Sequence, residues 1–169
     1  MTTNYSPKIY IACLASYNNG ILYGNWIDAN QDAYVLSTEI KEILAKSPME
    51  NAEEWAIHDY DDFDGINLSE YESLENISAI AQNIIEHGSL FTETYKYTNN
   101  IDDTIQMIED RFMGIYDSVT DYLEETTELS EVPEHLRYYI DFELMARDLE
   151  LGGDIITFET NNQTAIFSN

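Results

Sequence analysis

The side chains with the widest chemical repertoire are few in this chain and far apart. His58, His87 and His135 stand singly, with no HxH or HxxxH pair, and Cys13 is the one cysteine, so a structural zinc site is not expected. Cys13 lies between Ala12 and Leu14, has no disulfide partner, and reads as a small buried residue. A GxSxG nucleophile turn, a P-loop and a GxGxxG turn are all missing. The densest cluster is Asp59-Tyr60-Asp61-Asp62-Phe63-Asp64-Gly65. Setting Gly65 at the sixth position of an EF-hand loop places Asp62 and Asp64 correctly but puts Tyr60 first and Tyr71 twelfth, where carboxylates are needed. With 33 acidic residues some carboxylate pair always falls close enough for glycosidase-type acid and base work, so such a pair has no specificity. The expectation is a protein with no catalytic residue, cofactor or metal.

What remains is the charge itself. Thirty-three Asp and Glu oppose seven Lys and Arg in 169 residues, a net charge of −26. Solubility asks for a magnitude of only roughly 2 to 8 in a small domain. B-form DNA carries one phosphate charge per about 1.7 Å of axis, so 26 charges at that density would extend over roughly 45 Å of duplex. No Lys or Arg occurs from Ser47 to Tyr95, a stretch holding twelve acids. Adaptation to high salt is the generic explanation of such a surface, and an acidic chaperone or adaptor for basic DNA-binding proteins is the alternative functional class. A hydrophobic fraction of 44% with 13 Tyr, 6 Phe and 2 Trp places the charge on a folded chain rather than a disordered tail. No apolar run nears the roughly 18 residues of a membrane span, and the opening MTTNYSPKIYIACLASYN lacks the cationic start of a signal peptide, so a cytoplasmic protein without membrane contact is expected.

The elements that must position these charges can be read from periodicity. Lys8 to Ala15 predicts a strand, Asn18-Asn19-Gly20 a tight turn and Ile21 to Asp28 the returning strand. Asp32 to Lys46 predicts a helix stopped by Pro48, and Glu54 to Tyr60 a third strand. Ser69 and Glu72 read as a capping box opening a helix with Leu74, Ile77, Ile80, Ala81, Ile84 and Ile85 on one face, closed at Gly88. Ile101, Ile105 and Ile108 recur at helical spacing before a short strand at Arg111 to Tyr116 and an acidic helix at Asp117 to Thr126. Pro133 opens a turn or short helix. Asp141 to Leu151 places Phe142, Leu144, Met145 and Leu149 on or near an inner face, and a hairpin joins Asp154–Thr160 to Thr164–Ser168 through Asn161-Asn162-Gln163. Strands and helices without regular βαβ alternation predict an α+β fold. The domains are read as 1–60, an N-terminal α+β domain; 61–103, mainly helical; and 104–169, a C-terminal α+β domain. The two ends each hold a three-stranded sheet with short helices.

The segment Leu129 to Leu149, LSEVPEHLRYYIDFELMARDL, followed by Gly152 and Asp154, resembles the C-terminal signature of the ArdA antirestriction proteins. IYIACLASYNNGILYGNWIDA and EEWAIHDYD resemble the same family's N-terminal segments, while 66–130 resembles it least. The resemblance implies an elongated homodimer of three-domain subunits, carried by mobile elements. Its carboxylates would imitate bent B-form DNA and occupy the DNA-binding groove of the methyltransferase core of type I restriction-modification enzymes; it would bind no nucleic acid itself. It also marks Leu129 to Asp141 as the antirestriction motif. The expected mimic surface comprises Asp59, Asp61, Asp62, Asp64, Glu70, Glu72 and Glu75, then Glu109, Asp110, Asp117, Asp121, Glu124, Glu125, Glu128, Glu131 and Glu134. The steps of three and four from Asp117 through Asp121, Glu124 and Glu125 to Glu128 align carboxylates along one helical flank. Val132, Leu136, Tyr139, Ile140, Phe142 and Met145 are read mainly as core, with some left for a subunit contact. Phe112, Met113, Ile115 and Tyr116, apolar on both alternating faces, are the candidate dimer contact.

Overall fold

The computed structural model describes residues 4–169. The chain divides into two compact units, Met1–Gly88 and Ser89–Asn169, each built on its own three-stranded antiparallel sheet, and the fold is α+β.

In the first unit β1 (Lys8–Cys13) is central, flanked by β2 (Gly24–Asp28) and β3 (Trp55–Asp61) in the order β2-β1-β3. Ile9 pairs with Ile27 on one side and Tyr60 on the other, and a bulge at Tyr10/Ile11 shifts the β3 register. Ile9, Ile11, Ala12 and Cys13 are buried, because a middle strand covered by helices needs apolar side chains almost throughout. Helix α2 (Ala33–Ala45) contributes Leu36, Ile40, Ile43 and Leu44 to this core, and α3 (Leu74–His87) contributes Ile77, Ile80, Ala81 and Ile84. The expected strand to Ala15 stops early. Leu14–Asn18 forms the short helix α1, and the Asn-Gly pair closes that helix instead of turning a two-residue hairpin. Gly20 has φ +76°, and the Ile21 N–H donates back to the Ser16 carbonyl.

Helix α3 also begins later than the Ser69/Glu72 box suggests. The Ile57 N–H donates to the Glu70 carbonyl at 2.9 Å, which fastens residue 70 beside β3 and leaves Ser69–Glu72 as a turn. Ser73 is the true N-cap, its Oγ accepting from the Asn76 N–H at 3.2 Å, and Ile85 turns outward at the far end.

The second unit opens with α4 (Ser89–Thr98), to which the sequence pattern assigns no element. Its Thr and Tyr content favours strand, yet Phe91, Thr92 and Thr94 are buried, and the Thr94 hydroxyl donates to the Leu90 carbonyl at 2.8 Å. Then follow α5 (Ile101–Arg111), β4 (Phe112–Tyr116), α6 (Val119–Thr126), α7 (Glu134–Arg137), α8 (Phe142–Gly152), β5 (Ile155–Thr160) and β6 (Gln163–Ser168). The sheet order is β4-β6-β5. Alternation along β6 serves two cores, with Ile166 joining Val119, Leu123, Ala146 and Ile155, while Ala165 and Phe167 join Met107. The β5–β6 hairpin closes through Asn161 and Asn162, both at positive φ, so Gln163 pairs with Thr160 instead of lying in the loop.

Two inner-face assignments change. On α8 the inward row is buried Ala146 with half-buried Phe142 and Leu149; Leu144 and Met145 fall outside this phase and are exposed. In Leu129–Asp141, Leu136 and Tyr139 are not core: they are 47% and 80% exposed, beside Tyr138 at 92%.

Candidate anionic interface

In the first unit the seven expected carboxylates sit on β3, on the segment after it and at the start of α3, and most are engaged with the backbone. Asp59 accepts from the Tyr60 N–H at 2.9 Å and Asp61 from the Asp62 N–H at 3.0 Å. Asp62 accepts from the Ser6 N–H, and Asp64 from the Tyr5 hydroxyl at 3.1 Å. Asp62 and Asp64 have φ of +64° and +48°, left-handed conformations that short carboxylate side chains tolerate, with Gly65 following at +80°. Phe63 and Ile66 are buried between and after them, so this acidic segment is anchored from beneath. Glu70 lies 3.8 Å from His58; Glu72 accepts from the Ser73 N–H at 3.3 Å and Asn76 Nδ2 at 3.1 Å. Glu75, in the first turn of α3, is favoured by the helix dipole.

In the second unit the nine expected carboxylates are all exposed. Helix α6 carries only Asp121, Glu124 and Glu125. Asp117 precedes the Ser118 cap and Glu128 follows the C-cap Thr127, so the flank inferred from spacing is shorter than five residues. Asp117 accepts from Gln163 Nε2 at 3.0 Å, and Asp121 from the Ser118 hydroxyl. Hydrogen bonds from the Ser130 hydroxyl and N–H hold the Glu128 carboxyl below the usual carboxylate range, with help from the Arg137 charge. Glu109 and Asp110 end α5, where the dipole disfavours them, while Glu131 precedes and Glu134 begins α7.

The charge is little relieved internally. Among the described residues only Lys96–Glu93 and Arg147–Asp148 pair opposite full charges, and His58 lies within reach of Glu70. Among those residues no group of three His, Cys, Asp or Glu side chains has the arrangement to hold a metal ion, and no helix is long and apolar enough to cross a membrane. Cys13 is sealed in the core. Burial pushes its thiol up, but hydrogen bonds from Ser47 and Ser16 and nearby backbone groups outweigh that and leave it below the usual value.

The apolar strand β4 is an edge of its sheet. Phe112 packs against Phe167 with ring centroids 5.4 Å apart, and Tyr116 against Tyr122 at 5.1 Å, so both serve cores; Met113 and Ile115 are exposed. Glu53 and Glu54, outside the expected set, line a cavity with Trp55 and Tyr71 just before the expected acidic stretch. The EEW run itself was the available signal.

A family model described as "Antirestriction protein (ArdA)" matches residues 9–163. A search of curated proteins finds no match.

Proposed function

We propose, from the premise that this chain belongs to the ArdA family of antirestriction proteins, that it acts as a rigid anionic substitute for bent B-form DNA. Antirestriction function, and with it an encounter with restriction enzymes, follows from the family. The finer reading is that the carboxylates fill the DNA-binding groove of the methyltransferase core of type I enzymes and exclude the duplex. A groove that neutralises phosphates with Lys and Arg attracts any fixed anion array of similar density, and both partners release counterions on contact. The observation that carries this reading is that acids spread over both units are fixed by strand, loop and helix while only two Lys or Arg ion pairs neutralise any of them among the described residues.

The reading extends to a cytoplasmic homodimer of three-domain subunits, encoded on mobile elements. Two subunits of charge −26 can join only through surfaces poor in acid, and Met113 and Ile115 on the β4 edge, with Leu136, Tyr138 and Tyr139, are exposed apolar groups suited to that contact. Sedimentation showing only monomer at micromolar concentration would remove the dimer.

Displacement of labelled DNA tests the mimicry. The protein should release a duplex from a type I methyltransferase at a concentration at least about tenfold below that needed for an unrelated basic DNA-binding protein. Equal potency against both would point to the acidic chaperone or adaptor instead.

A further inference from the structure

A cavity of about 480 Å³ in the first unit is lined by Leu14, Glu53, Glu54, Trp55, Tyr71 and Glu72. Its walls are set by backbone bonds: the Leu14 N–H donates to the Glu54 carbonyl at 3.0 Å, the Ile57 N–H to the Glu70 carbonyl at 2.9 Å, and the Glu72 N–H to the Ser69 carbonyl at 3.1 Å. Glu72 is further oriented through one carboxylate oxygen, which receives Ser73 N–H and Asn76 Nδ2. Residues bearing two aromatic rings and three carboxylates therefore line one open hollow, and none of Glu53, Glu54 and Glu72 has a cationic partner among the described residues. The absence of Lys and Arg from Ser47 to Tyr95 means that no neighbour along this stretch supplies one.

We infer that this cavity accepts an arginine side chain of the target enzyme, an inference that rests on the DNA-mimic reading. A planar guanidinium can lie on the Trp55 or Tyr71 ring while its N–H groups turn to the carboxylates of the lining. A small hydrated metal ion suits the aromatic and Leu14 walls poorly, and a lysine ammonium keeps more of its water and lacks the flat face. The cavity thus adds to a diffuse charge array a point of shape-specific contact with the groups that hold phosphates.

The chain has two tryptophans, so Trp26→Phe leaves Trp55 as the sole indole reporter. Titration at low salt with Nα-acetylarginine amide should shift Trp55 emission saturably, with Nα-acetyllysine amide at least about threefold weaker. Tyr71→Ala, which removes a ring that is 67% exposed, and Glu53→Gln with Glu54→Gln should each weaken the response about tenfold. In DNA displacement from a type I methyltransferase, the same variants should lose about tenfold in potency, more than the equal charge change Glu124→Gln with Glu125→Gln. Linear drift without saturation, a lysine response equal to that of arginine, or unchanged titration of the variants overturns the site, as does unchanged potency of the variants where the parent protein displaces DNA. If the parent protein displaces DNA but Trp55 does not titrate, the cavity is wrong and the mimicry stands. If Trp55 titrates as described but DNA is not displaced, the guanidinium site stands and the mimicry falls.

Discussion

The two units carry nearly equal acid loads, 15 carboxylates in Met1–Gly88 and 18 in Ser89–Asn169, but hold them by different means. In the first, the expected interface is a strand end and loop whose Asp62 and Asp64 are half-buried and tied to Ser6 and Tyr5, with Phe63 buried beneath. In the second, Asp121, Glu124 and Glu125 stand on a helix that is fixed from its other side by Val119 and Leu123, so most of these carboxylates have no structural duty. Fixing an anion by hydrogen bonding makes it part of the fold and reduces its freedom to meet a partner. Fixing its helix leaves the whole side chain available, at the cost of mutual repulsion of about 0.2–0.5 kcal/mol per neighbouring pair. Charge and stability are therefore coupled in one unit and nearly separable in the other.

The contrast is broken most forcefully from below. Phe63→Ala should cost about 3–5 kcal/mol and loosen the acidic loop of the first unit, and Leu123→Ala about 2–5 kcal/mol in the second, both read by chemical denaturation. Converting the nine expected carboxylates of the second unit to amides should lower DNA displacement by more than about 100-fold while leaving thermal stability unchanged or higher, because the change removes repulsion and an amide oxygen can still accept the bonds made to Asp117, Asp121 and Glu128. Single changes sharpen the comparison. Asp62→Ala should cost about 2 kcal/mol, losing a charged hydrogen bond and placing Ala at φ +64°, whereas Glu124→Ala should stay within about 0.5 kcal/mol; neither alone should change inhibition much. The smallest effect concerns pH. The Glu128 carboxyl is held low, so its contribution to the local turn is complete above the ordinary unfolded value and is lost as pH falls through the depressed one. Ser130→Ala should move its side-chain NMR titration upward towards the ordinary range.

Regular elements with local causes were legible from residue order alone. The apolar row of α3, the recurrence of Ile101, Ile105 and Ile108 in α5, and the closing hairpin all follow from spacing and turn chemistry within a few residues. The misreadings depend on distant partners. Helix α4 contains strand-favouring residues whose burial decides its form, and the start of α3 is delayed by a bond from Ile57 to Glu70. The acidic character of the candidate interface was visible, but the engagement of Asp62 and Asp64 by Ser6 and Tyr5 joins residues more than fifty positions apart. For the same reason the hollow between Trp55 and Tyr71 left no periodic trace. Leu136 and Tyr139 look like core in any hydrophobicity count, because such a count registers apolar character without saying whether anything covers it.

The most direct test of the central claim is equilibrium binding of this protein to a type I methyltransferase across a range of fixed DNA concentrations. If its carboxylates occupy the place of the duplex, the apparent Kd should rise in proportion to free DNA with no plateau, and no species containing enzyme, DNA and this protein together should form. A stable ternary complex, or an apparent Kd indifferent to DNA, would contradict the account.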